Sequence, residues 1–99
     1  MDKKEIVQIK TRELYHLLLV KDVDILFAHR LLSQIYNVAW YRHLVHTATT
    51  PESTSLARWS LESARDELNS TLYSMNLCDL DKVLVRYVAN YCEFSENGK

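Results

Sequence analysis

The sequence predicts an all-α fold: an antiparallel up-down bundle of three to four helices, covering about 5–20, 24–47, 51–75 and 80–92. Three observations predict it. Only one Gly and one Pro occur in 99 residues, whereas sandwiches and barrels turn about every 8–12 residues and mark those turns with Gly, Pro or Asn-Gly. Apolar side chains recur at three- and four-residue spacing through all four segments. The connections between segments are short, which favours antiparallel neighbours.

In the first segment Ile6, Ile9, Leu14, Leu17, Leu18 and Val20 fall on one side of a helical wheel, with Tyr15 and Leu19 left over on the other. Lys21-Asp22-Val23-Asp24 contains two acceptable N-caps and marks the turn, although without Gly or Pro the first helix is able to run straight into the second.

The second segment changes phase along its length. Ile25, Ala28, Leu32, Ile35 and Ala39 make one stripe, opposite His29, Arg30, Ser33, Gln34 and Asn37. Past Trp40 the pattern turns over: Arg42, His43 and His46 project where the stripe had been, and Trp40, Tyr41, Leu44 and Val45 project elsewhere. This predicts either a kink near residues 40–42 or a helix whose far end outruns its bundle and meets a second surface.

Thr47-Ala48-Thr49-Thr50-Pro51-Glu52-Ser53 is the clearest boundary, with Thr50 as N-cap, Pro51 at the first helical position and Glu52 at the positive end of the dipole. The third helix then carries Ala57, Leu61, Ala64, Leu68, Leu72 and Met75 inward, opposite Arg58, Glu62, Arg65, Asp66 and Asn69. Trp59 and Tyr73 fall on its polar side. After the turn Asn76-Leu77-Cys78, Asp79 is the expected N-cap of a fourth helix with Leu80, Val83, Leu84, Tyr87, Val88 and Tyr91 on one face, and 93–99 is a polar tail.

Composition narrows the classes of function. One domain fills the chain; 47% hydrophobic and 25% charged residues describe a folded protein. Net charge is −1, with about +2 in 1–21, zero in 22–50, −2 in 51–76 and −1 in 77–99, so no block has the basic footprint that dominates nucleic-acid affinity. The start lacks a secretory apolar stretch, and the longest run free of Asp, Glu, Lys and Arg is 11 residues, too short for a bilayer; a cytoplasmic protein without a membrane is expected. Cys78 and Cys92, about 20 Å apart along a helix, are expected to be reduced thiols.

Candidate chemistry is sparse. Glu13 and His16 have the Glu-x-x-His spacing of di-iron bundles, but the second copy that such sites need is missing. His43 and His46 supply half of a usual metal set. Asn69-Ser70-Thr71 fits a glycosylation pattern inside a predicted helix. Serines and histidines occur without a Gly-rich phosphate loop or an oriented nucleophile–base pattern. A helix-turn-helix reading of Ser55–Glu62 fails because Glu62, Asp66 and Glu67 repel phosphates.

Association is what remains. Tyr15, Phe27, Tyr36, Trp40, Tyr41, Trp59 and Tyr73 are many large side chains for one small core, and Tyr, Trp and Arg are the types enriched in binding hot spots. The expectation is a small non-enzymatic protein-interaction module without cofactor or metal: a bacterial or phage regulator or adaptor that binds another protein, as a homodimer. Its partner-binding residues are expected to be Tyr36, Trp40, Tyr41, Arg42, Leu44 and Trp59. Two alternatives are a DNA-binding transcriptional regulator using Lys3, Lys4, Lys10 and Arg12, and a metal- or haem-binding bundle using His43 and His46. A plainer reading makes the second helix the central one, buried nearly all round.

Overall fold

The computed structural model describes residues 2–75 and 77–92. Among them are four α-helices and no strand: α1 Lys3–Val20, α2 Ile25–Thr47, α3 Pro51–Ser74 and α4 Asp79–Tyr91. They form the up-down bundle that the apolar periodicity predicts. The tail 93–99 and Asn76 of the last turn lie outside the described residues.

Local chemistry sets each helix start. The Asp2 carboxylate accepts the Glu5 N–H at 2.8 Å, so α1 begins two residues earlier than its apolar pattern does. Asp22, at φ 50°, turns the chain out of α1, and the Asp24 carboxylate then accepts from the Leu26 and Phe27 N–H groups at 2.9 and 3.3 Å. The two helices are therefore separate. Thr50 and Ser53 close a reciprocal capping box with Pro51 at the first position of α3. Asp79 is not the cap expected of it: Cys78 occupies that position without a side-chain bond, and Asp79 and Asp81 sit in the first turn of α4, where the helix dipole favours negative charge.

In the bundle α2 packs on both α3 and α4, and α1 packs on α4. The core is built from Leu14 and Leu18 of α1, Leu31, Ile35 and Val38 of α2, Leu61, Ala64, Leu68 and Leu72 of α3, and Val85, Val88 and Ala89 of α4. The α3 stripe is buried as predicted, down to a half-buried Met75. Two other faces are rotated from their predicted positions. On α2 the buried row contains Leu31 and Val38, while Ile25 stands in solvent. On α4 the buried residues are Val85, Val88 and Ala89, and Leu80, Val83 and Tyr91 of the predicted face are exposed. The reason is position: α4 lies between α1 and α2 and turns its narrower side, with the small Ala89, into the centre.

Helix α2 is continuous through residues 40–42. No break occurs, and the far end stays with the bundle, because Ala28, Leu31, Ile35, Val38, Arg42 and Val45 recur at alternating three- and four-residue steps and form one inward row whose last member, Val45, packs against the core. Arg42 belongs to that row. Its Nη2 donates to the Ala89 carbonyl at 3.0 Å and to the Cys92 carbonyl, satisfying acceptors that the end of α4 leaves open, and lies 3.7 Å from Cys92 Sγ. The α3–α4 seam is held by two further arginines: Arg65 Nε donates to Asn90 Oδ1 at 3.0 Å and Arg86 Nε to Asn69 Oδ1 at 2.9 Å.

Candidate interaction surface

The six residues expected to meet a partner separate into three groups. Tyr36, Trp40 and Leu44, four residues apart in succession, share one side of α2. Tyr36 is exposed, whereas Trp40 and Leu44 are half-buried and Trp40 stacks on His43 with ring centroids 5.9 Å apart. Tyr41 packs against the core and Arg42 is engaged with the end of α4. Trp59 is on α3: it lies about 160° round the helix from Leu61, is 69% exposed and has the exposed Leu56 three residues before it on the same side. The structure thus joins Tyr36, Trp40 and Leu44 and keeps Trp59 apart from them.

Burial depresses the pKa of the Arg42 guanidinium, opposed by the nearby Cys92 sulfur and reinforced by Arg65. The same burial raises the Cys92 thiol, with Arg42 pulling in the opposite direction. A protonated, half-buried thiol is a poor nucleophile, so this pair is built for packing. Cys78 and Cys92 are both free. Among the described residues no three His, Cys, Asp or Glu side chains converge as a metal set, and no helix is long and apolar enough to cross a membrane.

Among the described residues the four most exposed large apolar side chains lie where the sequence pattern did not place them. Leu19, Ile25, Leu26 and Leu80 are 79, 80, 78 and 80% exposed. All four belong to the same end of the bundle, formed by the last turn of α1 and the first turns of α2 and α4. Val20 and Val83 extend this surface. Between the α1–α2 turn and the end of α3 it opens into a shallow cleft of about 340 Å³ whose apolar lining is Val23, Phe27, Met75 and Leu77. The local sequence explains the exposure. Leu17-Leu18-Leu19-Val20 and Ile25-Leu26-Phe27-Ala28 are runs of four consecutive apolar residues, and successive helical positions differ by about 100°, so no single face can hold all four. Leu17 and Leu18 turn inward before the turn, Phe27 and Ala28 after it, and the remainder are left in water. Those two runs were the available signal; period-matching, which assigned Ile25 to the core stripe, passed over them.

Searches of protein-family models, of curated proteins and of solved structures return no match to this chain.

Proposed function

We propose that this protein is an interaction module, not an enzyme, and that it forms a homodimer through the end of the bundle bearing Leu19, Ile25, Leu26 and Leu80. The single observation that carries the reading is the near-complete exposure of these four large aliphatic side chains at one end. Large aliphatic side chains left in water at one end of a small domain mark a contact site. Fully burying a side chain of this size contributes about 1.5–3 kcal/mol, so covering the patch on both copies is able to offset the several kcal/mol that association costs in rigid-body freedom.

The polar surround carries both signs: Lys21 and Lys82 stand among Asp22, Asp24, Asp79 and Asp81, a net of −2 at this end. The driving force for a second copy is therefore apolar burial, working against a like-charge repulsion between twofold-related ends that salt screens, so the dimer is expected to tighten with ionic strength. Tyr36, Trp40, Leu44 and Trp59 lie outside this end and are the side chains we assign to a different protein, in a regulator or adaptor role; Tyr41 and Arg42 serve the fold. A cytoplasmic setting belongs to the same reading and is supported by the two free cysteines.

Chromatography with light scattering tests the dimer. The expected mass is twice 11.6 kDa, falling to the single-chain value in the double variant Ile25→Glu, Leu26→Glu with an unchanged helical circular dichroism spectrum, while Trp40→Ala keeps the dimer. A wild-type chain that stays monomeric up to about 1 mM overturns the reading, since a contact weaker than that is not a specific dimer.

A further inference from the structure

We propose that the cleft between the start of α1 and the end of α4 binds an acidic, apolar-anchored segment of a partner protein. The site is separate from the self-association end and rests on different observations. The cleft has a volume of about 820 Å³, within the usual range for sites that enclose a ligand. Its apolar floor is Val7, Tyr91 and the Cys92 side chain, and its rim carries Lys3, Lys4 and Arg12.

Among the described residues neither Lys4 nor Arg12 has an ion-pair partner, whereas Lys10, next along α1, is paired with Glu13 at 3.3 Å. Lys3 lies over the Tyr91 ring, 5.4 Å from its centroid, which leaves its charge at the mouth. Among the described residues of the lining the one carboxylate is Asp2, which caps α1 through the Glu5 N–H and keeps its charge, so the cleft carries a net of +2. The cleft is thus a cationic rim over an aromatic and aliphatic floor, and the ligand it complements is anionic at its edges and apolar in the middle.

Spacing narrows the class further. Lys4, Gln8 and Arg12 follow one another at four-residue steps, which puts the two cations about 12 Å apart along α1 with an amide between them. An extended peptide covers that distance in about four residues. Two carboxylates four positions apart, with a leucine-sized side chain midway over Tyr91 and Val7, match the site. Electrostatic complementarity of this kind fixes register and speeds encounter more than it adds affinity, so weak, salt-sensitive binding is expected.

The test uses the whole chain and a fluorescent pentapeptide of sequence Glu-Ala-Leu-Ala-Glu, followed by anisotropy and by amide shifts in an NMR titration. The expected result is saturable binding that perturbs Val7, Gln8 and Tyr91, weakens at least tenfold when both glutamates are replaced by glutamine, and weakens similarly in the Lys4→Glu, Arg12→Glu protein. Both substituted residues are exposed, so fold and oligomeric state stay those of the wild type. Equal binding of the glutamine peptide, an unaffected double variant, or no binding at all overturns the proposal. So does tighter occupancy of the same residues by dodecanoate or by duplex DNA, which would assign the cleft to a lipid or a nucleic acid.

Discussion

Arg42, in the second half of α2, donates through Nη2 to the carbonyl oxygen of Ala89, 47 residues away, at 3.0 Å. With the Cys92 carbonyl as a second acceptor, one guanidinium closes a helix end that has neither a glycine cap nor a basic residue in its last turn. The contact also fixes the axial position of α4 against α2.

Replacing Arg42 with alanine is therefore expected to cost about 1–3 kcal/mol, the range for losing a charged donor from partly buried acceptors. Arg42→Lys recovers only part of it, because both bonds leave the single nitrogen Nη2 at the tip of the guanidinium and the lysine ammonium ends one bond short of that position. Urea midpoints of the three proteins check this; a lysine variant as stable as the wild type removes the reach of the guanidinium from the explanation.

Cys92 gives a pH dependence of definite sign. Burial raises its thiol pKa above that of the unfolded chain, so the folded state holds this proton more tightly. The resulting stabilisation is present in full below the unfolded thiol's pKa of about 8.5 and is lost as pH rises through the higher folded value. Unfolding free energies at about pH 8 and pH 10 should fall more steeply with pH in the wild type than in Cys92→Ala. Parallel slopes for the two proteins would contradict the assignment.

Asp22 occupies the left-handed region at φ 50°, where a side chain costs about 1 kcal/mol that glycine does not incur. Asp22→Gly is expected to raise the melting temperature by a few degrees, and Asp22→Val to lower it, because a β-branched side chain tolerates this conformation least. Differential scanning calorimetry at one protein concentration distinguishes them.

The two tryptophans differ in access to water: Trp59 is exposed and Trp40 is half-buried on His43. Trp59→Phe is expected to leave blue-shifted emission with reduced acrylamide quenching, and Trp40→Phe to leave the red-shifted, readily quenched component. Identical quenching in the two variants would mean that Trp59 is covered.

Most of the fold was legible because helix ends and apolar spacing are local properties. Thr50-Pro51 announced the start of α3, and Ala57, Leu61, Ala64, Leu68 and Leu72 gave its apolar buried row, to which the structure adds the polar Thr71. The rotations of α2 and α4 were not legible, since both helices carry more apolar residues than one face can hold and the choice between Ile25 and Leu31, or between Leu80 and Val85, is made by neighbours. Arg42 misled for the same reason. A charge on an apolar row signals a change of phase unless its distant acceptors are known, and Ala89 and Cys92 lie outside any local window. The exposed end was half legible: the apolar runs 17–20 and 25–28 announce more greasy side chains there than one face can hold, but which of them meet water follows from those rotations.

Two arginines meet carboxamides instead of carboxylates across the α3–α4 seam, Arg65 on Asn90 and Arg86 on Asn69. An amide oxygen does not take up a proton at any pH at which the chain survives, so acidification that neutralises aspartates and glutamates leaves these two bonds unchanged. These two links between α3 and α4 consequently carry no acid dependence of their own, and they hold the same lateral register of the two helices for as long as the apolar core keeps α2 between them.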